Sequence, residues 1–372
     1  MLREPDGLKT RFSCINLLQR LRYMTDNRPW SPPPMPRCLS DDSIERRTVQ
    51  GFDFPLGVYP VESMTPQQGY NSEFEPADGD DGISEVEAWP DRYVYDIVIS
   101  ATRLEALWTQ IFALMPGRVY PILDYIGHDC YREIDPYIAY EPLGQERMTN
   151  LLQRYHDFFF DDGMIGFGAV SEEPFFYVFV DEHKIMTLRV EPEMCPKVEK
   201  LLASFDLEHV AEPAGADAAS HEHRSVLLTA DDRPDLLNAD EIVEIARETW
   251  GLVLNVDPES NVDDEGIELG ITPFRCLLRY ETDQNPIARY AEVICTAESL
   301  IQAESLALEA VDELLGEPES TEVTSDLYLL SADRINMKDL GLGHSESKAP
   351  KPLSKKYLQQ CSILSSRWLN EA

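Results

Sequence analysis

From residue 93 onward the chain alternates between two apolar rhythms. Period-two stretches mark strands, and recurrence at three and four residues marks helices. Residues 93–100 (YVYDIVIS) read as a strand. Residues 102–115 read as a helix, because Leu104, Leu107, Trp108, Ile111 and Leu114 fall on one stripe; Pro116 and Gly117 end it. Residues 118–126 form a second strand, 127–145 are irregular, and 146–160 form a helix with Met148, Leu151, Leu152 and Tyr155 on a shared face. Strands follow at 164–170 and 175–180, and 184–190 closes a hairpin across a polar turn of Asp181, Glu182 and His183. A helix at 196–205 ends this part.

Residues 211–224 (AEPAGADAASHEHR) have linker composition. A second set of elements then begins. Strands are expected at 225–230, 252–256, 267–271, 274–280 and 288–295, with an edge strand at 326–330. The helix at 240–250 carries Asn238 as N-cap. The helix at 297–315 is capped by Thr296 and is expected to bury Leu300, Ile301, Leu308, Val311 and Leu315. The fold class is therefore α+β. The expectation is two consecutive sandwich-like domains at 91–210 and 225–333, each an antiparallel or mixed sheet with helices on one face. Residues 1–90 are expected to be largely disordered or loosely attached, although 11–24 has the pattern of a short basic amphipathic helix. Five prolines between Pro29 and Pro36 keep that stretch extended, and 334–372 reads as a basic polar tail.

Charge narrows the function classes. The 372 residues hold 68 acidic and 32 basic side chains, a net of −36. Residues 51–336 hold 59 acidic and 17 basic, a net of −42. Such a body repels phosphates, so no nucleic-acid partner is expected. It suits solubility, a salty interior or a basic protein partner. No apolar run approaches the ~20 residues of a membrane helix, so no membrane partner is expected. Seven scattered cysteines without a C-x-x-C read as reduced thiols in a cytoplasmic protein.

Candidate chemistry is sparse. His221-x-His223 has the most metal-like spacing, since residues i and i+2 of a strand share a face. It lies in the linker-like segment and lacks an assignable third ligand. His128, Asp129 and Cys130 place three reactive side chains together, and His156, Asp161 and Asp162 are candidates to join them in a thiol or metal-dependent enzyme. Asn261, Asp263 and Glu265 before Gly266 imitate half of a calcium loop, but position twelve is Thr272 rather than Glu. Gly166-x-Gly168 has Ser171 where a dinucleotide fingerprint needs its third glycine, and Gly341-x-Gly343 is weaker still. Phe175, Tyr177 and Phe179 alternate with Phe176 and Val178, the pattern of a strand covered on both faces. No catalytic, cofactor-binding or metal residue is assigned on these grounds, and no cofactor is expected. The reading is a non-catalytic cytoplasmic protein that binds a protein partner or itself. The alternatives are the enzyme around His128 and Cys130, or a small-molecule sensor at the domain junction.

Overall fold

The computed structural model describes residues 37–77, 89–229, 233, 235–263, 266–282, 285–316, 325–336 and 359–369. The expected helix at 11–24, the proline run and Gly341-x-Gly343 lie outside them. The chain combines antiparallel sheets with six described helices and divides into two compact units. The first takes its described residues from 37–125 and 136–255, the second from 126–135 and 256–369. This division differs from the expected one. Residues 211–224 belong to the first unit and are not a linker between domains, and 225–255 belong there too. Residues 37–77 are built into the fold rather than loosely attached.

The first unit is organised by a nine-stranded sheet. Its strands are β4 (Gly69–Glu75), β5 (Arg92–Val98), β6 (Arg118–Ile126), β7 (Ile134–Ala139), β8 (Leu143–Gly144), β9 (Ile165–Ser171), β10 (Phe176–Val180), β11 (Met186–Val190) and β13 (Leu252–Leu254). The order is β13-β7-β6-β9-β10-β11-β5-β4, with β8 on β6. Register places Leu123, Phe167, Val180, Met186 and Ile97 in a row across the sheet, all fully buried. They cluster with the buried sides of α1 (Ala101–Phe112), α2 (Gln145–Arg154), α3 (His156–Asp161), α4 (Cys195–Ser204) and α5 (Ala239–Trp250).

The single helix expected at 146–160 is two, broken at Tyr155 (φ −119°, ψ 42°). Phe158, Phe159 and Phe160 are all buried, which one face of a continuous helix does not allow for three successive residues. Phe160 and Phe159 meet the edge of Phe167, and Phe159 stacks on Trp250. The glycines of GFG serve packing. A Cβ on Gly168 would lie 2.3 Å from the Val178 carbonyl and 2.6 Å from the Phe179 ring, which covers this strand. Phe175 and Phe179 are buried, as are Phe176 and Val178 on the other face, so both faces of this strand are covered.

α5 starts in a reciprocal cap. The Asn238 side chain accepts from the Glu241 backbone N–H, and the Glu241 carboxylate accepts from the Asn238 N–H. Asn238→Ala is expected to cost about 1 kcal/mol of stability. Chemical denaturation checks this, and a loss below a few tenths would show the box to be idle.

The second unit holds the sheet β16-β14-β15-β17, formed by β14 (Thr272–Thr282), β15 (Asn285–Ala297), β16 (Ser325–Arg334) and β17 (Ser362–Trp368). The segment expected as a basic polar tail thus supplies an edge strand. α6 (Leu300–Leu315) packs Ala303, Ala307, Ala310 and Val311 against Phe274, Cys276, Val293 and Cys295. Ile301, expected in the core, is exposed. Alanines permit a close helix–sheet approach that leucines would hold off. Thr296 remains in β15, and Ser299 is the N-cap. No strand forms at 267–271, and of the strand expected at 225–230 the described residues, 225–229, offer only a bridge from Leu227 to Ser40.

Candidate metal centre

Three short strands precede β4: β1 (Thr48–Val49), β2 (Phe52–Asp53) and β3 (Val58–Pro60). β3 pairs antiparallel with β12 (His221–His223). The expected linker is therefore half of a two-stranded ribbon. A segment this short and polar is held by its surroundings rather than by its own apolar pattern. The loop after α3 supplies them. Asp162 is fully buried and accepts hydrogen bonds from Val226 N–H, Met164 N–H and the Ser225 hydroxyl. Gly57 N–H donates to Asp161 O, Arg224 N–H to Gly57 O, and Gly163 N–H to Arg224 O. The backbones of Gly57 and Gly163 touch, so a Cβ on Gly57 would lie 1.9 Å from Gly163 N.

The hairpin between β10 and β11 supplies the other side. Asp181 Oδ1 accepts from Ile185 N–H at 2.7 Å and closes the turn. Lys184 follows with φ 64° and a buried side chain whose ammonium donates to Ile165 O. Burial pushes its pKa down to about 8, against the pull of Asp162 and Asp181. The turn presents His183 toward the ribbon.

These elements bring His183, His221 and His223 together, with ligand atoms within 4.8 Å of one another. His183 Nε2 lies 3.0 Å from His221 Nε2, which lies 3.1 Å from His223 Nε2. The outer nitrogens face acceptors. His221 Nδ1 is 2.7 Å from Ala219 O, His223 Nδ1 is 2.7 Å from Gly163 O, and His183 Nδ1 is 3.3 Å from Asp181 Oδ2. A carbonyl only accepts, so the Nδ1 atoms of His221 and His223 carry protons, and their Nε2 lone pairs point at each other. One proton can bridge one of the two Nε2 pairs; a metal ion satisfies both. Zinc–nitrogen bonds of about 2.0–2.1 Å in tetrahedral geometry separate ligand nitrogens by about 3.3 Å, so the cluster needs to open by a few tenths of an ångström. The outer acceptors are the partners that orient metal-bound imidazoles.

Titration is uneven across the cluster. Burial lowers the pKa of His223, and the neighbouring His183 and His221 add to this against the Gly163 carbonyl. Burial also pushes His183 down, but the Asp181 hydrogen bond and the charges of Asp181 and Glu182 outweigh it and raise its pKa.

The other sequence candidates are spread over both units. His128 and Cys130 lie in the second unit; His156 and Asp161 lie in the first. His156 contacts Glu105 and Asp157, and Asp161 pairs with Arg46 at 2.7 Å. In the calcium-like loop, Asn261 Oδ1 accepts from the Arg334 guanidinium and Asp263 Oδ1 from Ile267 N–H, so both oxygens hold local structure. The six described cysteines are free thiols. Sequence reasoning paired His221 with His223 but missed His183, whose only signal was its place in a tight hairpin turn.

Glu182, beside His183, also acts on Asp124 of β6. Burial, then the Glu182 charge, raises the Asp124 pKa to about 6. The folded state thus holds this proton more tightly than the unfolded chain, whose Asp titrates near ~3.9. Its stabilising share is full below about pH 4 and is lost as pH rises through 6. Asp124→Asn is therefore expected to gain about 3 kcal/mol over the native chain at pH 8, at about 1.36 kcal/mol per pKa unit, and only a few tenths at pH 4. Urea midpoints at both pH values check this; a pH-independent difference would contradict it.

No described helix is long and apolar enough to cross a membrane. The chain matches no family model, no curated protein and no solved structure, so its three-imidazole cluster stands on its own geometry.

Proposed function

We propose that this protein binds a divalent transition-metal ion, zinc by preference, through His183, His221 and His223. The observation that carries the reading is the opposition of Nε2 lone pairs at 3.0–3.1 Å while carbonyls fix the Nδ1 protons of His221 and His223. Imidazole suits zinc, copper, iron and nickel, and the borderline-soft zinc ion fits a compact nitrogen triangle. The ion would join the β10–β11 turn to the β3–β12 ribbon, so binding adds directly to folding stability. Equilibrium dialysis of the full chain against zinc is expected to show one tightly held ion per chain, released as pH falls and the imidazoles protonate. A chain that retains no stoichiometric zinc at pH 7.5 refutes the reading.

The net −42 of residues 51–336 supports a second role in binding a basic protein. A pull-down washed at physiological and at high salt tests it: salt-sensitive retention of a stoichiometric partner is expected.

A further inference from the structure

The metal reading leaves the fourth coordination position undefined. We infer that this position is open: a solvent molecule occupies it, and small anions exchange with that solvent. This rests on the three-histidine metal site. Structural zinc sites close their tetrahedron with four protein ligands, whereas sites that exchange ligands keep three.

The described residues supply three. The nearest carboxylates, Asp181 and Glu182, group with His183 on its Nδ1 side, at 3.3 and 3.5 Å from that atom, and do not join the three-imidazole group. Both oxygens of Asp181 are engaged, one by the Ile185 N–H and one facing His183 Nδ1. Glu222 sits between the two histidines of β12, and strand alternation turns it to the opposite face. Tyr59 is its cross-strand partner on that face, while Val58 and Pro60 flank the histidines.

None of the three histidines is fully buried. The His183 side chain keeps 18% of its surface exposed, and His221 and His223 are likewise half-buried. Three neutral imidazoles leave the ion's full double charge, and Asp181 and Glu182 offset it only from beyond the first layer of ligands. That charge favours an anionic fourth ligand: hydroxide, a carboxylate or another small oxyanion. Exchange at such a position is what Lewis-acid chemistry on a bound carbonyl or phosphoryl oxygen requires.

Cobalt(II) in place of zinc makes the position visible. The full-length chain loaded with cobalt should show the intense visible bands of a four-coordinate ion. Those bands should shift saturably when azide is added. X-ray absorption of the zinc form should give three nitrogen neighbours from imidazole and one oxygen. His221→Ala serves as control and should lose the bands. Bands that depend on His221 but that no azide concentration moves, or a fourth protein ligand in the absorption data, overturn the open position while leaving the metal site intact. Failure to observe any His221-dependent cobalt band overturns the metal site itself.

Discussion

His221→Ala is expected to abolish stoichiometric zinc binding while leaving the metal-free protein as stable as the native chain. His221 is the middle member of the cluster, with its Nε2 3.0 Å from that of His183 and 3.1 Å from that of His223. Without it two imidazoles remain. Loss of a group that merely orients a ligand costs about 10–100-fold in metal affinity. Loss of a ligand itself should cost more, on the order of 1,000-fold or about 4 kcal/mol at 1.4 kcal/mol per decade. The metal-free state should not suffer. Removing this ring relieves the crowding of Nε2 atoms, and the bond lost, to Ala219 O, lies at a half-buried position. In the native chain, zinc at 100 times its dissociation constant should add about 2.7 kcal/mol of stability. Thermal unfolding with and without zinc separates the two effects. A variant that keeps the zinc-dependent rise would show that the cluster is not the ligand set; one that is markedly less stable without metal would show that the histidines serve packing instead.

Much of the architecture was legible because it depends on local period. The β10–β11 hairpin, the stripe of α1 and the Asn238 cap are encoded within a few residues. The HEH strand was half legible: its spacing gave a shared face, but Ala and Gly around it favour a linker by composition. What makes it a strand is Val58–Pro60, more than 160 positions away, together with the Asp162 carboxylate. His183 joins from 38 positions away across a different sheet. Nothing in a one-dimensional pattern reports such a meeting. The helix stripe at 300–315 was legible at Val311, which is buried, and at Leu300, Leu308 and Leu315, which pack against the core; it was misread at Ile301, which is exposed, and it missed Ala303, Ala307 and Ala310, small enough to meet the facing sheet closely. Tyr155 ends a helix because three phenylalanines beyond it all need the core, a demand set by Phe167 and Trp250.

The close approach of Gly57 and Gly163 leads to the second large effect. A methyl group on Gly57 would lie 1.9 Å from Gly163 N, 2.7 Å from Asp162 C and 2.8 Å from Asp161 O. All three are backbone atoms, so no side chain can swing aside. Overpacking typically costs 1–3 kcal/mol when neighbours adjust. Here the fixed neighbours put Gly57→Ala at or above about 3 kcal/mol, a fall of roughly 6–12 °C at about 2–4 °C per kcal/mol for a unit of this size. The same movement displaces Gly163 O, which holds His223 Nδ1, and breaks the Gly57 bonds to Asp161 and Arg224. Zinc affinity should therefore fall together with stability. Gly117→Ala is the matched control, since nothing lies within 4 Å of a Cβ there and the change should stay within about 0.5 kcal/mol. Equal melting temperatures for the two variants would rule out the backbone contact. A destabilised Gly57→Ala chain with native zinc affinity would instead uncouple the glycine contact from the histidines. The expected joint loss would show that a contact between two side-chain-free residues, neither of them a ligand, sets the geometry of the metal centre.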